Sequence, residues 1–276
     1  EFVDSDGGSG SSSLPSNGSG GSSGGGGSSL SSGASEHARD MADLVRVDRD
    51  GAASPSLGRR LRSSILVTSE DKRVLVDCGP DLRAQLLDAD VGSLDAVIAT
   101  HEHGDHYNAD TLAALTGDAT TLITNPAVLD MLPEALKTKA SAIANGENTV
   151  WNDVAIDAIP AYNTTEDRLN FHPQGRDNGY VLAVDGLRIY ISGDTEGTPE
   201  MRALENIDVA FVCMNLPFTM SAEAAAEAVS EFAPKYIYPY HYHYRGRDNG
   251  TQDPAEFAGM VKGAIETKYG NWYEAS

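Results

Sequence analysis

The sequence predicts an α/β protein, a four-layer αββα sandwich in which helices cover two mixed β-sheets packed face to face. Predicted strands and helices alternate from about residue 58 onward, which is typical of strands joined by crossover helices. Hairpins interrupt this alternation, most clearly where residues 180–184 and 187–191 flank the turn Asp185-Gly186. Because hairpins pair strands in the antiparallel direction, the sheets are expected to be mixed.

The first half of this region begins with a strand pair and continues with short alternating elements. Two apolar segments, 63–68 and 73–76, are joined by the polar turn 69–72 and are expected to pair. The other elements predicted up to residue 136 are a helix at 81–87, a strand at 94–100, a helix at 109–115, a strand at 120–124 and a helix at 127–136.

The second half adds strands, one long polar loop and further helices. Residues 154–161 alternate in polarity as a half-buried strand does, whereas 162–178 are rich in Asn, Asp and Arg and are expected to form a loop. A helix at 221–232 is predicted to begin with Ser221 as its N-cap. The remaining predicted elements are a helix beginning near 198, strands at 209–213 and 235–239, and a helix at 254–267.

The composition describes an acidic chain with few cysteines. Asp and Glu number 41 against 20 Lys and Arg, so the formal net charge is −21. Such a chain repels nucleic-acid phosphates, which disfavours a nucleic-acid partner and leaves a small molecule as the expected substrate. The two cysteines, Cys78 and Cys213, indicate no disulfide framework, so a cytoplasmic location is expected. No segment approaches the ~20 apolar residues of a membrane span.

The chain is expected to divide into three segments. Residues 1–35 consist mostly of Ser and Gly and cannot bury apolar surface, which predicts a disordered linker, either natural or an engineered remnant. Residues 36–57 are transitional. Residues 58–276 carry the regular pattern of elements and are expected to form the folded domain.

One cluster of metal-ligand side chains follows the predicted strand at 94–100 directly. It reads His101-Glu102-His103-Gly104-Asp105-His106. Imidazole and carboxylate are ligand types that suit zinc, manganese and iron. The simpler interpretation is a polar loop that caps the next helix, and the ligand-type residues downstream favour a metal site.

Three further residues of ligand type lie downstream. Asp194 and His241 each follow a predicted strand, and strand ends at one rim of a sheet can assemble a shared site. His172 lies in the polar loop between them. Each also has a simpler role: Asp194 could cap the helix near 198, and the two histidines could be solvated.

These residues, taken together, resemble the metallo-β-lactamase superfamily. The matching motifs are His101-x-His103-x-Asp105-His106, Gly193-Asp194 and Pro239-x-His241-Tyr242, in this order. The resemblance extends over roughly residues 60–273. It implies an αββα fold and a metal-dependent hydrolase with two divalent ions, zinc first and manganese or iron as alternatives.

The resemblance also implies a ligand set. It assigns His101 and His103 to the first ion, Asp105, His106 and His241 to the second, and Asp194 to both. Family members usually supply a third histidine to the first ion just after the strand that here ends at residue 161. This chain has Tyr162-Asn163 there. His172 is therefore expected to complete the first site.

The chemistry implied by the family is hydrolysis by a metal-bound hydroxide, because two cations lower the pKa of a shared water. Asp105 is expected to orient this hydroxide as well as to bind metal. His243 is the candidate for protonating the leaving group. Arg176, Arg245 and Arg247 are candidates for contacting a substrate anion, since a guanidinium matches planar anions.

Two branches of the superfamily resemble different parts of the chain. Residues from Pro160 onward resemble the branch that contains ascorbate-6-phosphate lactonase, whereas 58–64 and 77–83 resemble the cyclic-phosphodiesterase and tRNA 3′-processing branches. The expected substrate is a lactone, another ester or a phosphodiester of a small anionic molecule. The alternatives are a phosphodiesterase or nuclease-like activity, β-lactam hydrolysis, and a non-catalytic or engineered chimeric metal-binding domain.

Overall fold

A computed structural model describes residues 63–69, 72–88, 91–242 and 253–268. The predicted linker at 1–35 and the transitional segment at 36–57 lie outside these residues. Within the described part of the chain, strands form two sheets, and buried side chains from both contribute to one hydrophobic core. No helix in this part is both long and apolar enough to cross a membrane.

The first sheet has five strands in the order β1-β2-β3-β4-β5. The β1 and β2 strands are antiparallel, as predicted for the first pair, and the other neighbours are parallel. The side chains of β3 are all buried, as expected for a parallel strand that is covered on both faces. The strands are β1 (Ile65–Thr68), β2 (Arg73–Val76), β3 (Ala96–Ile98), β4 (Thr121–Thr124) and β5 (Ala140–Ala142).

The second sheet has seven strands in the order β12-β11-β10-β9-β8-β7-β6. Strands β6 to β9 form antiparallel pairs, and strands β9 to β12 run parallel to one another. Both sheets are therefore mixed, as predicted. The strands are β6 (Asn148–Trp151), β7 (Val154–Ala161), β8 (Asp177–Val184), β9 (Leu187–Ile191), β10 (Val209–Cys213), β11 (Tyr236–Tyr240) and β12 (Glu266–Thr267).

Helices accompany each sheet on its outer side. In the first half of the chain α3 and α4 contact β5, and in the second half α6 contacts β10 and packs on α7. Ser221 is the N-cap of α6, as predicted, and its hydroxyl oxygen accepts from the amide of Ala224 at 3.2 Å. The helices are α1 (Leu82–Asp88), α2 (Ala109–Leu115), α3 (Pro126–Met131), α4 (Glu134–Lys137), α5 (Pro199–Arg202), α6 (Ala222–Phe232) and α7 (Pro254–Met260).

Two predicted helices are wrong in their extent. The helix predicted at 127–136 is two short helices, because Pro133 lies between α3 and α4 and offers no amide hydrogen to continue the first one. The helix predicted at 254–267 ends at Met260, and its last residues form β12 beside β11. The sequence analysis also missed β5 and β6, which are short and carry few buried side chains.

Candidate metal centre

The segment from His101 to His106 leaves the end of β3 and folds into a tight turn. The amides of His106 and Tyr107 both donate to the carbonyl of His103, at 2.9 and 2.8 Å. The turn brings the ring centroid of His101 to 4.8 Å from that of His103 and to 4.1 Å from that of His106. His101 and His106 are fully buried, whereas His103 is partly exposed.

Asp194 and His241 come from the second sheet and reach the same rim. They follow β9 and β11, which both run parallel to β10, so their carboxyl ends lie on one edge. Gly193 has a φ of 60°, and a Cβ there would lie 2.8 Å from the carbonyl oxygen of Asn178. This glycine therefore lets the turn that carries Asp194 pass close to the backbone of β8.

The loop from Tyr162 to Arg176 returns His172 to the other histidines. The amide of Asn163 donates to the carbonyl of His172 at 2.8 Å. The buried His172 ring lies 5.0 Å from the His101 ring and 4.8 Å from the His103 ring, measured between centroids. His172 thus lies beside the two histidines with which the family resemblance groups it.

All seven predicted ligand residues lie in one cluster. Asp194 faces three imidazoles: its Oδ1 lies 3.5 Å from His106 Nε2, and its Oδ2 lies 3.5 Å from His172 Nε2 and 3.4 Å from His241 Nε2. Three overlapping groups have all their ligand atoms within 4.8 Å of one another, namely His101–His103–His172, His101–His106–Asp194 and Asp105–His106–His241.

Four of these donor atoms have no hydrogen-bond partner among the described residues although they are buried. They are the Nε2 atoms of His101, His106 and His172 and the Oδ1 atom of Asp194. A buried polar atom left without a partner costs about 1–3 kcal/mol. Imidazole nitrogen and carboxylate oxygen are the donors that zinc and related cations prefer. The residues present therefore fit a divalent cation.

Charge within the cluster favours bound positive charge. Burial lowers the pKa of His101 well below its ordinary value, and His106 lowers it further. Burial alone would raise the pKa of Asp194, but His241 and His106 hold it well below its ordinary value. Asp194 is therefore an ionised carboxylate in the interior, and it raises the pKa values of His106 and His241 in turn, so a proton or a cation on these rings balances its charge.

The sequence analysis missed two carboxylates that fix the imidazoles from behind. Asp77, at the end of β2, lies 2.7 Å from His106 Nδ1, and Asp177, at the start of β8, lies 3.0 Å from His172 Nδ1. A histidine that donates its Nδ1 hydrogen to a carboxylate presents the Nε2 lone pair to a metal. Asp77 follows a strand directly, as Asp194 and His241 do, and this sequence pattern could have identified it.

Arg176, a candidate for contacting a substrate anion, has hydrogen-bond and ion-pair partners within the protein. Its guanidinium donates to Asp177, with Nε 2.7 Å from Oδ1, and its Nη1 lies 2.8 Å from Oε1 of Glu102. The guanidinium charge of Arg176 is therefore balanced by carboxylates of the protein itself. His243, Arg245 and Arg247 lie outside the described residues.

Comparison with known proteins agrees with this geometry. The model of the beta-lactamase superfamily domain matches residues 72–242, more than half of the chain. The chain belongs to the metallo-β-lactamase superfamily. The predicted fold and family are thus confirmed, and the cluster lies within the matched region of the superfamily domain.

Several superfamily members show how the chain relates to known hydrolases. A metal-dependent hydrolase of Pyrococcus furiosus is 31% identical over 155 residues, which cover 54% of this chain and 67% of that protein. A crystal structure from Parabacteroides distasonis, assigned as a metal-dependent hydrolase, is 33% identical with a TM-score of 0.64 and covers 76% of this chain and 90% of its own. A diphosphatase of the PhnP family, 19% identical over 79% of this chain and 86% of its own, has a TM-score of 0.57 and shows the fold alone. The chain spans about two thirds of the length of the curated relatives it matches.

Proposed function

We propose that this superfamily member is a dinuclear metal hydrolase that cleaves a lactone or another ester of a small anionic substrate. The observation that carries the proposal is the set of buried donor atoms that face one another without hydrogen-bond partners. In this assignment His101, His103 and His172 hold one ion, Asp105, His106 and His241 hold the other, and Asp194 is shared. The donor set suits zinc first, and manganese or iron as alternatives.

The two sides of the cluster have different access to solvent. His101, His106, His172 and Asp194 are buried, whereas the side chain of Asp105 is 41% exposed and that of His241 is 16% exposed. Since His103 is also partly exposed, we infer that substrate and water reach the cluster along the edge formed by His103, Asp105 and His241.

The reaction needs an activated water and a stabilised developing charge. When bound, the ions supply Lewis-acid activation of water and positive charge facing the substrate. Asp105 lies at the open side, with its Oδ2 3.5 Å from His241 Nε2, and can accept a hydrogen bond from the attacking water to orient it. The buried carboxylates Asp77 and Asp177 hold two of the rings still, so the donors do not have to reorganise.

The lactone or ester assignment is supported by the longer of the two stretches of resemblance, which supplies three of the seven proposed ligands. The residues from Pro160 onward resemble the lactonase branch, and they include His172, Asp194 and His241. The net charge of −21 disfavours a nucleic-acid substrate. Two buried free thiols, Cys78 and Cys213, suit a reducing cytoplasm, which we propose as the location.

A substrate panel tests the proposal directly. Metal-free protein is loaded with Zn²⁺, analysed for metal content, and assayed on lactones, phosphodiesters and β-lactams with and without a chelator. We expect up to two ions per chain and lactone or ester hydrolysis that the chelator abolishes and added metal restores. Hydrolysis that is indifferent to the chelator, or a chain that retains no ion, overturns the metal centre. If phosphodiesters are hydrolysed faster than lactones and esters, the proposed substrate class is wrong but the proposed metal centre stands.

A further inference from the structure

Arg176 contacts three residues on the two segments that carry the first group of histidines. Its Nε and Nη2 donate to the two carboxylate oxygens of Asp177 at 2.7 and 2.9 Å, and Nη2 also donates to the carbonyl of Phe171 at 2.8 Å. Its Nη1 lies 2.8 Å from Oε1 of Glu102. One side chain therefore joins the turn after β3 to both ends of the segment that carries His172.

Each of these contacts lies next to a histidine of the cluster. Glu102 stands between His101 and His103, Phe171 directly precedes His172, and Asp177 accepts from the Nδ1 hydrogen of His172 at 3.0 Å. Asp177 is fully buried, so its charge needs a counter-charge at hydrogen-bond distance. Arg176 supplies that charge, and its planar fork fixes the direction of the carboxylate as well.

These contacts are confined to one side of the cluster. The other group has a separate support, since His106 is held by Asp77. Loss of Arg176 should therefore disturb His172 and the turn at Glu102 while the group of Asp105, His106 and His241 keeps its contacts.

We propose that Arg176 is a positioning residue that sets the geometry of the first metal site by clamping the loop of His172 onto the turn of His101 and His103. The inference rests on the proposed metal centre. It explains how a histidine from a long loop can replace the ligand that the family usually supplies from the residue after the strand. The clamp acts through Asp177 and Glu102.

Stepwise metal binding tests the clamp. Zn²⁺ or Co²⁺ is titrated into the metal-free full chain in competition with a chromophoric chelator, for wild type, Arg176→Gln, Arg176→Lys and Glu102→Gln. The variant His172→Ala identifies which ion belongs to the first site. Arg188→Gln is the matched control, since Arg188 lies at the start of β9, away from the strand ends that carry the site, and pairs with Asp157 at 4.0 Å.

The clamp predicts a split between the two ions. Arg176→Gln should weaken by about 10- to 100-fold the same ion that His172→Ala affects and leave the other ion at wild-type affinity, the usual effect of removing a group that orients a ligand. Arg176→Lys should resemble Arg176→Gln, because one ammonium cannot bridge Asp177 and Glu102. Arg188→Gln should bind both ions as wild type does.

Several results overturn the inference. Wild-type affinity for both ions in Arg176→Gln, equal weakening of both ions, or full rescue by lysine each contradicts a geometric clamp. If Arg176→Gln does not fold, as judged by circular dichroism, Glu102→Gln carries the test. It removes one arm of the clamp at a side chain 18% exposed and should weaken the same ion by a smaller factor, and an unchanged first ion contradicts the clamp. If the wild-type chain binds no ion, the proposed function and the clamp are both overturned. If wild type and Arg176→Gln each bind two ions with the same high affinity, only the clamp is overturned.

Discussion

Three imidazoles of the cluster are fixed through Nδ1 so that Nε2 points inward. His106 and His172 are held at Nδ1 by Asp77 and Asp177, and His101 Nδ1 lies 2.9 Å from the hydroxyl of Thr100. Thr100 donates in turn to Asp77 at 2.9 Å, so its oxygen is left to accept from His101. The inward Nε2 atoms are therefore prepared as metal donors before any cation arrives.

Replacement of Asp194 should reduce metal binding and hydrolysis more than replacement of any other residue of the cluster. It faces His106, His172 and His241 at 3.4–3.5 Å, so both proposed ions depend on it. We expect Asp194→Ala to lower hydrolysis by more than about 100-fold and to reduce the number of bound ions, because three imidazoles lose the negative charge they face. Metal analysis and initial rates check this. Asp118→Ala, an exposed acid elsewhere, should behave as wild type, and an Asp194→Ala protein with full metal content excludes the shared position.

The two cysteines should be inert in the folded protein. Burial raises the pKa of Cys213 to about 12 and that of Cys78 to about 12, with Asp194 and Asp77 as the next causes. The thiolate is the reactive form, and a raised pKa leaves almost none of it at neutral pH. We expect a thiol reagent to label neither cysteine in native protein and both in guanidinium chloride, as followed by absorbance. Rapid labelling of native protein contradicts this burial.

Residue types alone predict the candidate ligands of this site but not the groups that orient them. His101, His103 and His106 are conspicuous because ligand-type residues crowd one short segment. The role of Arg176 is not visible in the same way, because an arginine in a polar loop contacts solvent, substrate or protein depending on where the loop folds. Only the three-dimensional path of the loop decides that Asp177 and Glu102 receive it.

At the scale of elements, the loop after β7 is held in place by one buried acid that follows β9. Oε2 of Glu196 accepts hydrogen bonds at 2.8 Å from the amides of Thr164 and Thr165 and from the hydroxyl of Thr164. Its Oε1 accepts from Nη1 of Arg168 at 2.7 Å. This carboxylate replaces the regular backbone pairing that the loop lacks, and His172 depends on the same loop.

Replacing this acid should loosen the loop. Glu196→Gln keeps the size of the side chain but replaces one acceptor oxygen with an amide group, so these part-buried donors lose a charged partner. We expect a loss of about 1–3 kcal/mol in the free energy of unfolding, measured by urea denaturation. The exposed acid Glu205 is a matched control, since Glu205→Gln removes no such contact set. Equal stability of Glu196→Gln and wild type contradicts the anchoring role.

The elements themselves were predictable where hydrophobic pattern and capping agree. The strand β10 and the helix α2 occupy the predicted residues, and Ser221 caps α6 as expected. The failures have physical causes. Pro133 ends a helix that apolar spacing alone would continue, and β12 is a strand of two residues whose position depends on pairing with β11 rather than on its own sequence.

At the scale of the whole molecule, the excess of acidic residues acts on stability as well as on substrate choice. The chain has 41 acidic against 20 basic residues, and like charges on one molecule repel one another in the compact state. Salt screens this repulsion, since the Debye length falls from about 10 Å at 0.1 M to about 3 Å at 1 M ionic strength. The same screening acts on a pair such as Lys235 with Asp208, but exposed pairs contribute less than ~1 kcal/mol each.

Repulsion should therefore dominate the response of the protein to salt. We expect the melting temperature of metal-free protein to rise by several degrees between about 0.05 and 1 M NaCl, because screening removes more repulsion than attraction when one sign is in twofold excess. Scanning calorimetry measures this. A sucrose series at the same concentrations is the control. Sucrose is excluded from the protein surface but carries no charge, so it stabilises without screening. A melting temperature that falls with NaCl, or that sucrose raises equally, means that net charge does not limit the stability of this fold.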